Sequence, residues 1–221
     1  MHFTALTSTL LAISLASASP LRLRDLILSS GPALHLRARL LPGAADIDPP
    51  ISGLYLAPAR VGAGQNIAIG TELSGSKTDP ADLPGYYVNG TEGQTWVVHD
   101  LGTTSPYGVS VSGPEEWDAT YTGDHDVAIN IGVGTEGLTV VEGGDGAVLG
   151  GAGEGLYAVC NRFVAAVRAD IQAVRYVYAG EEVPAGCVGV EFVPFCAVLD
   201  ELPEGGEWSH EWVQNVSCYV A

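Results

Sequence analysis

Between residues 51 and 160 no apolar run goes far before a turn residue cuts it. The runs fall at 53–56, 65–72, 85–89, 95–100, 108–112, 127–133, 138–142, 147–149 and 156–160. Asn89-Gly90, Ser112-Gly113-Pro114, Thr122-Gly123-Asp124 and Gly143-Gly144-Asp145-Gly146 punctuate them. Short strands at a spacing of roughly 8–12 residues predict an antiparallel architecture, because no stretch of helical period intervenes to build βα units. Upstream, Leu34, Leu36, Ala38 and Leu40 alternate with His35, Arg37 and Arg39, the pattern of a half-buried strand. A further strand is expected at 189–193. Residues 161–178 read two ways: Phe163, Val167, Ile171, Val174 and Tyr178 recur at helical spacing, whereas 173–178 alternate as a strand would. A turn over 161–170 and a strand over 172–178 is the preferred reading. The predicted fold is all-β, an antiparallel β-sandwich or barrel of about 9–12 short strands, stapled by disulfides near the C-terminus. The 29 glycines and 13 prolines among 221 residues suit a turn-rich chain, and 47% hydrophobic residues supply a core.

The ends indicate compartment. An apolar stretch from Leu6 to Leu15 closes on Ala16-Ser17-Ala18, the pattern of a secretory signal peptide cut after Ala18. No later run is long and apolar enough for a transmembrane helix. The expected organisation is a signal peptide at 1–18, a linker or short pro-segment at 19–32, a β domain at 33–196 and a C-terminal extension at 197–221. Cys160, Cys187, Cys196 and Cys218 are even in number and lie in the last third. In a secreted chain they read as two disulfides with three possible connectivities. Asn89-Gly90-Thr91 and Asn215-Val216-Ser217 are glycosylation sequons. The turn character of Asn89-Gly90 predicts an exposed, glycosylated Asn89.

The order of several short motifs resembles a family of secreted ascomycete fungal proteins known as a domain of unknown function. They are Gly53-Leu54-Tyr55-Leu56, Tyr87-Val88-Asn89-Gly90-Thr91, Asp100-Leu101-Gly102-Thr103 with Pro106, Val127-Ala128-Ile129-Asn130-Ile131-Gly132, Val159-Cys160, and Val183-Pro184 with Cys187. The resemblance covers about residues 33–195, and that family is distantly similar to fungal cell-wall proteins of the PhiA type. Where the family usually carries tryptophan, this chain has Tyr157. The family's shared cysteines correspond to Cys160 and Cys187, which implies the pairings Cys160–Cys187 and Cys196–Cys218. The family has no established catalytic residues, so none is carried over.

Charge excludes further classes. With 26 acidic and 9 basic residues the formal net charge is -17, which does not suit a nucleic-acid binder or a protein docking on an anionic membrane. Between Thr78 and Asn161 there is no Lys or Arg. Crowding of its acids predicts raised carboxyl pKa values and greater stability at mildly acidic pH.

The candidate chemistries are thin. Gly132-Val133-Gly134-Thr135-Glu136-Gly137 matches the dinucleotide fingerprint, but β-branched residues follow where a helix is required, so a glycine turn is the better reading. Asp124-His125-Asp126, and Asp46 with Asp48, offer oxygens without calcium-loop spacing. No serine-hydrolase elbow occurs. Glu115, Glu116 and Trp117 place carboxylates beside an aromatic platform and are the weak sugar-contact candidates. No catalytic, cofactor or metal residue is assigned and no cofactor is expected. The leading reading is a non-catalytic secreted fungal protein acting at the cell wall, through its polysaccharide, or at a host surface. A carbohydrate-binding module and a small glycoside hydrolase are the alternatives.

Overall fold

The computed structural model describes residues 26–72, 83–115, 125–143, 146–206 and 208–220. The expected signal peptide at 1–18, Lys77, Glu116, Trp117 and Asp124 lie outside them. Among the described residues there are fourteen strands and no helix. They are β1 (Ile27–Gly31), β2 (Ala33–Leu40), β3 (Tyr55–Gly62), β4 (Gln65–Thr71), β5 (Tyr86–Thr91), β6 (Gln94–His99), β7 (Tyr107–Val111), β8 (His125–Ile131), β9 (Thr139–Gly143), β10 (Gly146–Gly150), β11 (Gly155–Val164), β12 (Ala169–Tyr178), β13 (Cys187–Ala197) and β14 (Val216–Val220).

Local hairpins build two walls. In one, β12 pairs along β11 from Gly155↔Tyr178 to Val164↔Ala169, β11 pairs with β13, and β13 pairs with β2 from Val190↔Leu40 to Ala197↔Ala33. In the other, β5, β6, β7 and β8 follow one another as neighbours. Two narrow joints close the walls into a ring of eight strands: Leu34↔Tyr86 between β2 and β5, and Arg175↔Asp126 with Tyr176↔His125 between β8 and β12. The β3–β4 hairpin bridges β2, β8 and β12. The result is a barrel-like antiparallel sheet in which the parallel contact Phe195↔Tyr219 joins β14 to β13.

Alternating residues from both walls meet in one core. Leu36, Tyr86, Val88, Val97, Val109, Ile129, Val159, Val174 and Phe192 are all buried there, with Leu138 and Leu149 from the β9–β10 side. Each such side chain contributes on the order of 1.5–3 kcal/mol by leaving water. Tyr157, at the family's tryptophan position, sits edge-on to Tyr176 and Phe192 in this core, and its buried hydroxyl has no protein partner.

Four expectations need correction. The segment 161–178 is strand on both sides of a turn at 165–168, so the turn is shorter than expected. The period was misleading because Ala173–Val177 are buried on both faces of β12, which erases alternation. Arg168 takes φ 54° in that turn. Second, β1 forms within the segment read as a linker. Third, the C-terminal extension contributes a strand, β14, where no strand was expected. These two strands pair with each other, so neither has a sequence neighbour to announce it. Fourth, the turn after β5 is not at Asn89-Gly90. Thr91 pairs with Gln94, which places Glu92-Gly93 at the tip, and Asn89 is buried inside the strand rather than exposed as expected.

The disulfides are Cys160–Cys187, across β11 and β13, and Cys196–Cys218, across β13 and β14. Both agree with the pairing the resemblance implied.

Candidate functional site

The weak sugar-contact trio does not form a describable site. Glu115 is exposed in a turn beyond β7, and its two companions fall outside the described residues. The acidic turn candidates have structural occupations. Asp46 accepts backbone N–H bonds from Ile47, Ile51 and Ser52 at 2.9, 2.8 and 3.1 Å, which clasps the loop before β3. His125 and Asp126 are strand neighbours and point to opposite faces. The former is fully buried against Glu181 at 3.0 Å, and the latter pairs outward with Arg175. Among the described residues no cluster of three metal-ligating side chains occurs. The glycine fingerprint is a turn: Gly132, Gly134 and Gly137 all have positive φ. The Val133–Gly134 backbone lies so near β7 that a Cβ on Gly108 would stand 2.1 Å from the Val133 carbonyl carbon.

The polar chemistry that the fold does assemble lies where the C-terminal segment crosses β5. Tyr87 donates its hydroxyl proton to Asp100 Oδ1 at 2.8 Å. Trp208 Nε1 donates to the Tyr87 oxygen at 2.8 Å, and His210 Nε2 binds Asp100 Oδ2 at 2.7 Å. The His210 ring stands edge-on to Tyr87 at 4.8 Å. Burial, then the Asp100 charge and its hydrogen bond, push the Tyr87 phenol well above its ordinary range, with Trp208 opposing. Tyr87 is therefore a fixed donor at any physiological pH. Nearby, burial lowers the pKa of His99 against the opposing pull of the Gly85 carbonyl, which Nδ1 meets at 2.8 Å. Both oxygens of Asp100 are engaged. This matters because Asp100 also lines a cleft of about 430 Å³ with Glu72, and a two-carboxylate hydrolase would need both groups free to face a substrate.

A second concavity, also about 430 Å³, opens against β4, β8, β11 and β12. Its walls are largely apolar, with Ile67, Val127, Val164 and Val174, and they include Arg162, Arg175 and Asp126. The register Arg162↔Ile171 and Ala158↔Arg175 places both arginines on one face of the hairpin. Both are deeply buried, while Phe163 beside them is 57% exposed. Phe163 borders the same concavity, but it is the strand neighbour of Arg162, so its exposed ring projects from the opposite face of β11 to the two guanidiniums.

The sequence reading identified none of the residues in the Tyr87 cluster as a site. Trp208 lies 121 positions from Tyr87, and no spacing rule links a strand tyrosine to a tail tryptophan. The two arginines were visible only as scarce cations.

Fold and site together define a disulfide-stapled, all-β barrel-like protein whose described histidines are all tied into its structure. The model of a domain of unknown function, DUF7907, matches residues 31–196, so the chain belongs to that family. The chain is also 27% identical over 206 residues to the antigenic protein SchS34 of Stachybotrys chartarum, which spans 86% of this chain and 87% of that protein. No solved structure matches.

Proposed function

We propose that this is a secreted, non-catalytic fungal protein that acts by binding at the cell wall or at a host surface. One observation carries the reading: all four histidines among the described residues are already structural ties. His35 and His99 bind the Pro84 and Gly85 carbonyls, His125 binds Glu181, and His210 binds Asp100. A general acid or base needs a free site within reach of substrate. Two disulfides in a small domain suit an oxidising compartment. The similarity to a fungal antigenic protein supports an exposed fungal product, and the distant likeness to PhiA-type wall proteins points the same way.

The exposed ring of Phe163 on β11 favours a second reading, a carbohydrate-binding module in which that ring stacks on a sugar face. Pull-down of the purified protein with insoluble wall polysaccharides, beside a glycan array, separates the two readings. Binding lost in Phe163→Ala supports the carbohydrate reading. Retention on whole walls or host cells with an array that stays empty supports the broader one. Turnover of a polysaccharide by the purified protein overturns both.

A further inference from the structure

The segment 208–214 crosses the open edge of β5 as a strap. The Gly90 amide donates to the Trp212 carbonyl at 2.9 Å, and the Gln214 amide donates to the Val88 carbonyl at 2.9 Å. Asn89 bridges Val213 between them, and Gln214 Nε2 donates to the Gly90 carbonyl at 2.8 Å. The ties of Trp208 to Tyr87 and of His210 to Asp100 hold the strap upstream. Downstream it enters β14, which Cys196–Cys218 fastens to β13. The strap lies beyond residues 31–196, the part that the family model covers.

Under the strap sits the sequon Asn89-Gly90-Thr91. Asn89 is 4% exposed, and its buried Oδ1 has no protein partner. A buried, unsatisfied amide oxygen is costly and rare. The second sequon begins at exposed Asn215, just past the strap. The two acceptors therefore stand in opposite situations. A glycan on Asn215 leaves the strap where it is, whereas buried Asn89 lies directly across from Val213 of the strap and has no open space for one.

We propose that N-glycosylation of Asn89 and docking of the strap exclude one another, so that the sequon is a covalent release for the C-terminal segment. Synthesis order supplies the opportunity. The β5–β6 hairpin can close once residue 99 has emerged, but the outer edge of β5 stays open until residues 212–214 exist. In that interval Asn89 Nδ2 can attack the anomeric carbon of a lipid-pyrophosphate-linked oligosaccharide supplied by the secretory host. The C–N bond forms, the bond from that carbon to the pyrophosphate oxygen breaks, and the amide proton leaves to solvent as the lipid pyrophosphate departs. A chain so modified keeps its barrel and both disulfides, and its strap remains off β5.

The test compares wild-type protein with Thr91→Ala, both secreted from a glycosylating fungal host. Glycopeptide mass analysis reads Asn89, and hydrogen exchange reads the Gly90 and Gln214 amides in separated glycoforms. In Thr91→Ala both amides are expected to be protected. In wild-type molecules that carry sugar on Asn89 that protection is expected to fall at least tenfold, while amides of the β11–β12 ladder stay unchanged. Trimming the glycan to its first sugar does not restore it. Two results overturn the proposal: an Asn89 glycan with Gly90 and Gln214 still protected, or an Asn89 that is bare in every wild-type molecule.

Discussion

The two walls of the barrel are built from opposite materials. The wall of β2, β11, β12 and β13 carries Arg37, Arg39, Arg162 and Arg175, has the longest ladders, and contains Cys160–Cys187. Its cations are anchored. Arg39 pairs with Glu191, while Arg37 donates to the Gly53 carbonyl at 3.1 Å and lies 5.7 and 5.8 Å from the Tyr55 and Phe195 ring centres. The wall of β5 to β8 has neither a cation nor a disulfide. It coheres through short hairpins and through buried Tyr86, Val97, Val109 and Ile129. A cation reaches it across a joint, Arg175 from β12 to Asp126, and His210 comes with the strap to hydrogen-bond Asp100. An acid-rich stretch can fold without cations of its own when the topology returns distant ones to it.

Removing the staple is the strongest way to break this contrast. Replacing both Cys160 and Cys187 by alanine frees a separation of 27 residues, and is expected to cost about 3–4 kcal/mol in urea unfolding. Removing Cys196 and Cys218 together, with a separation of 22, is expected to cost a similar amount but to release the strap amides first. Equal global and local losses from both pairs would erase the distinction between wall and tail. Smaller is the effect of matched truncations. Val97→Ala and Val159→Ala each empty a fully buried position, one in each wall. Each is expected to lose about 2 kcal/mol, and local opening by hydrogen exchange is expected to rise further in the unstapled wall. Smaller still is Asp126→Asn. The carboxylate is 51% exposed and Arg175 keeps other contacts, so the loss is about 1 kcal/mol or less. Its expected signature is opening at the β8–β12 joint rather than general unfolding.

The pH response sharpens the comparison most finely. The crowded acids suggested greater stability under mild acidity. The two groups with resolved shifts that titrate in this range run the other way. His99, lowered by burial, has a folded value below its unfolded value near ~6.5. The unfolded chain therefore binds more protons, so this contribution is present above that value and is lost as pH falls toward the folded one. For Glu181, burial raises the carboxyl, but the His125 and Tyr178 hydrogen bonds and the His125 charge hold it below the ordinary value. Its contribution is lost as pH falls through the carboxylate range, below about 4. Thermal midpoints are expected to decline from pH 7 to pH 4, with the upper part of the decline flattened in His99→Phe. A midpoint that climbs toward pH 4 would mean that repulsion among the acids dominates.

How much of this was legible follows from how far each interaction reaches along the chain. Turn residues and alternation act over a few positions, so twelve of the fourteen strands and the all-β class were readable from local pattern. The burial of Asn89 was not: its own residues spell a turn, whereas the fold pairs it with Val213 of a tail more than a hundred residues later. The site behaves likewise. Arg162 and Arg175 become neighbours through the β11–β12 register, and Tyr87, Asp100, Trp208 and His210 through closure of the tail over β5.

By itself the sequence determined the β class, the placement of most strands, the acidic charge and, through family resemblance, the cysteine pairing. Composition, local periodicity and shared motifs carry that information in each segment. Only the tertiary structure decided that the walls close at two narrow joints, that β1 and β14 add a terminal pair, and that one sequon is covered while the other stands open. Those outcomes depend on which distant edges find each other, and a backbone edge exposes the same N–H and C=O groups whatever its sequence, so no local pattern names its partner.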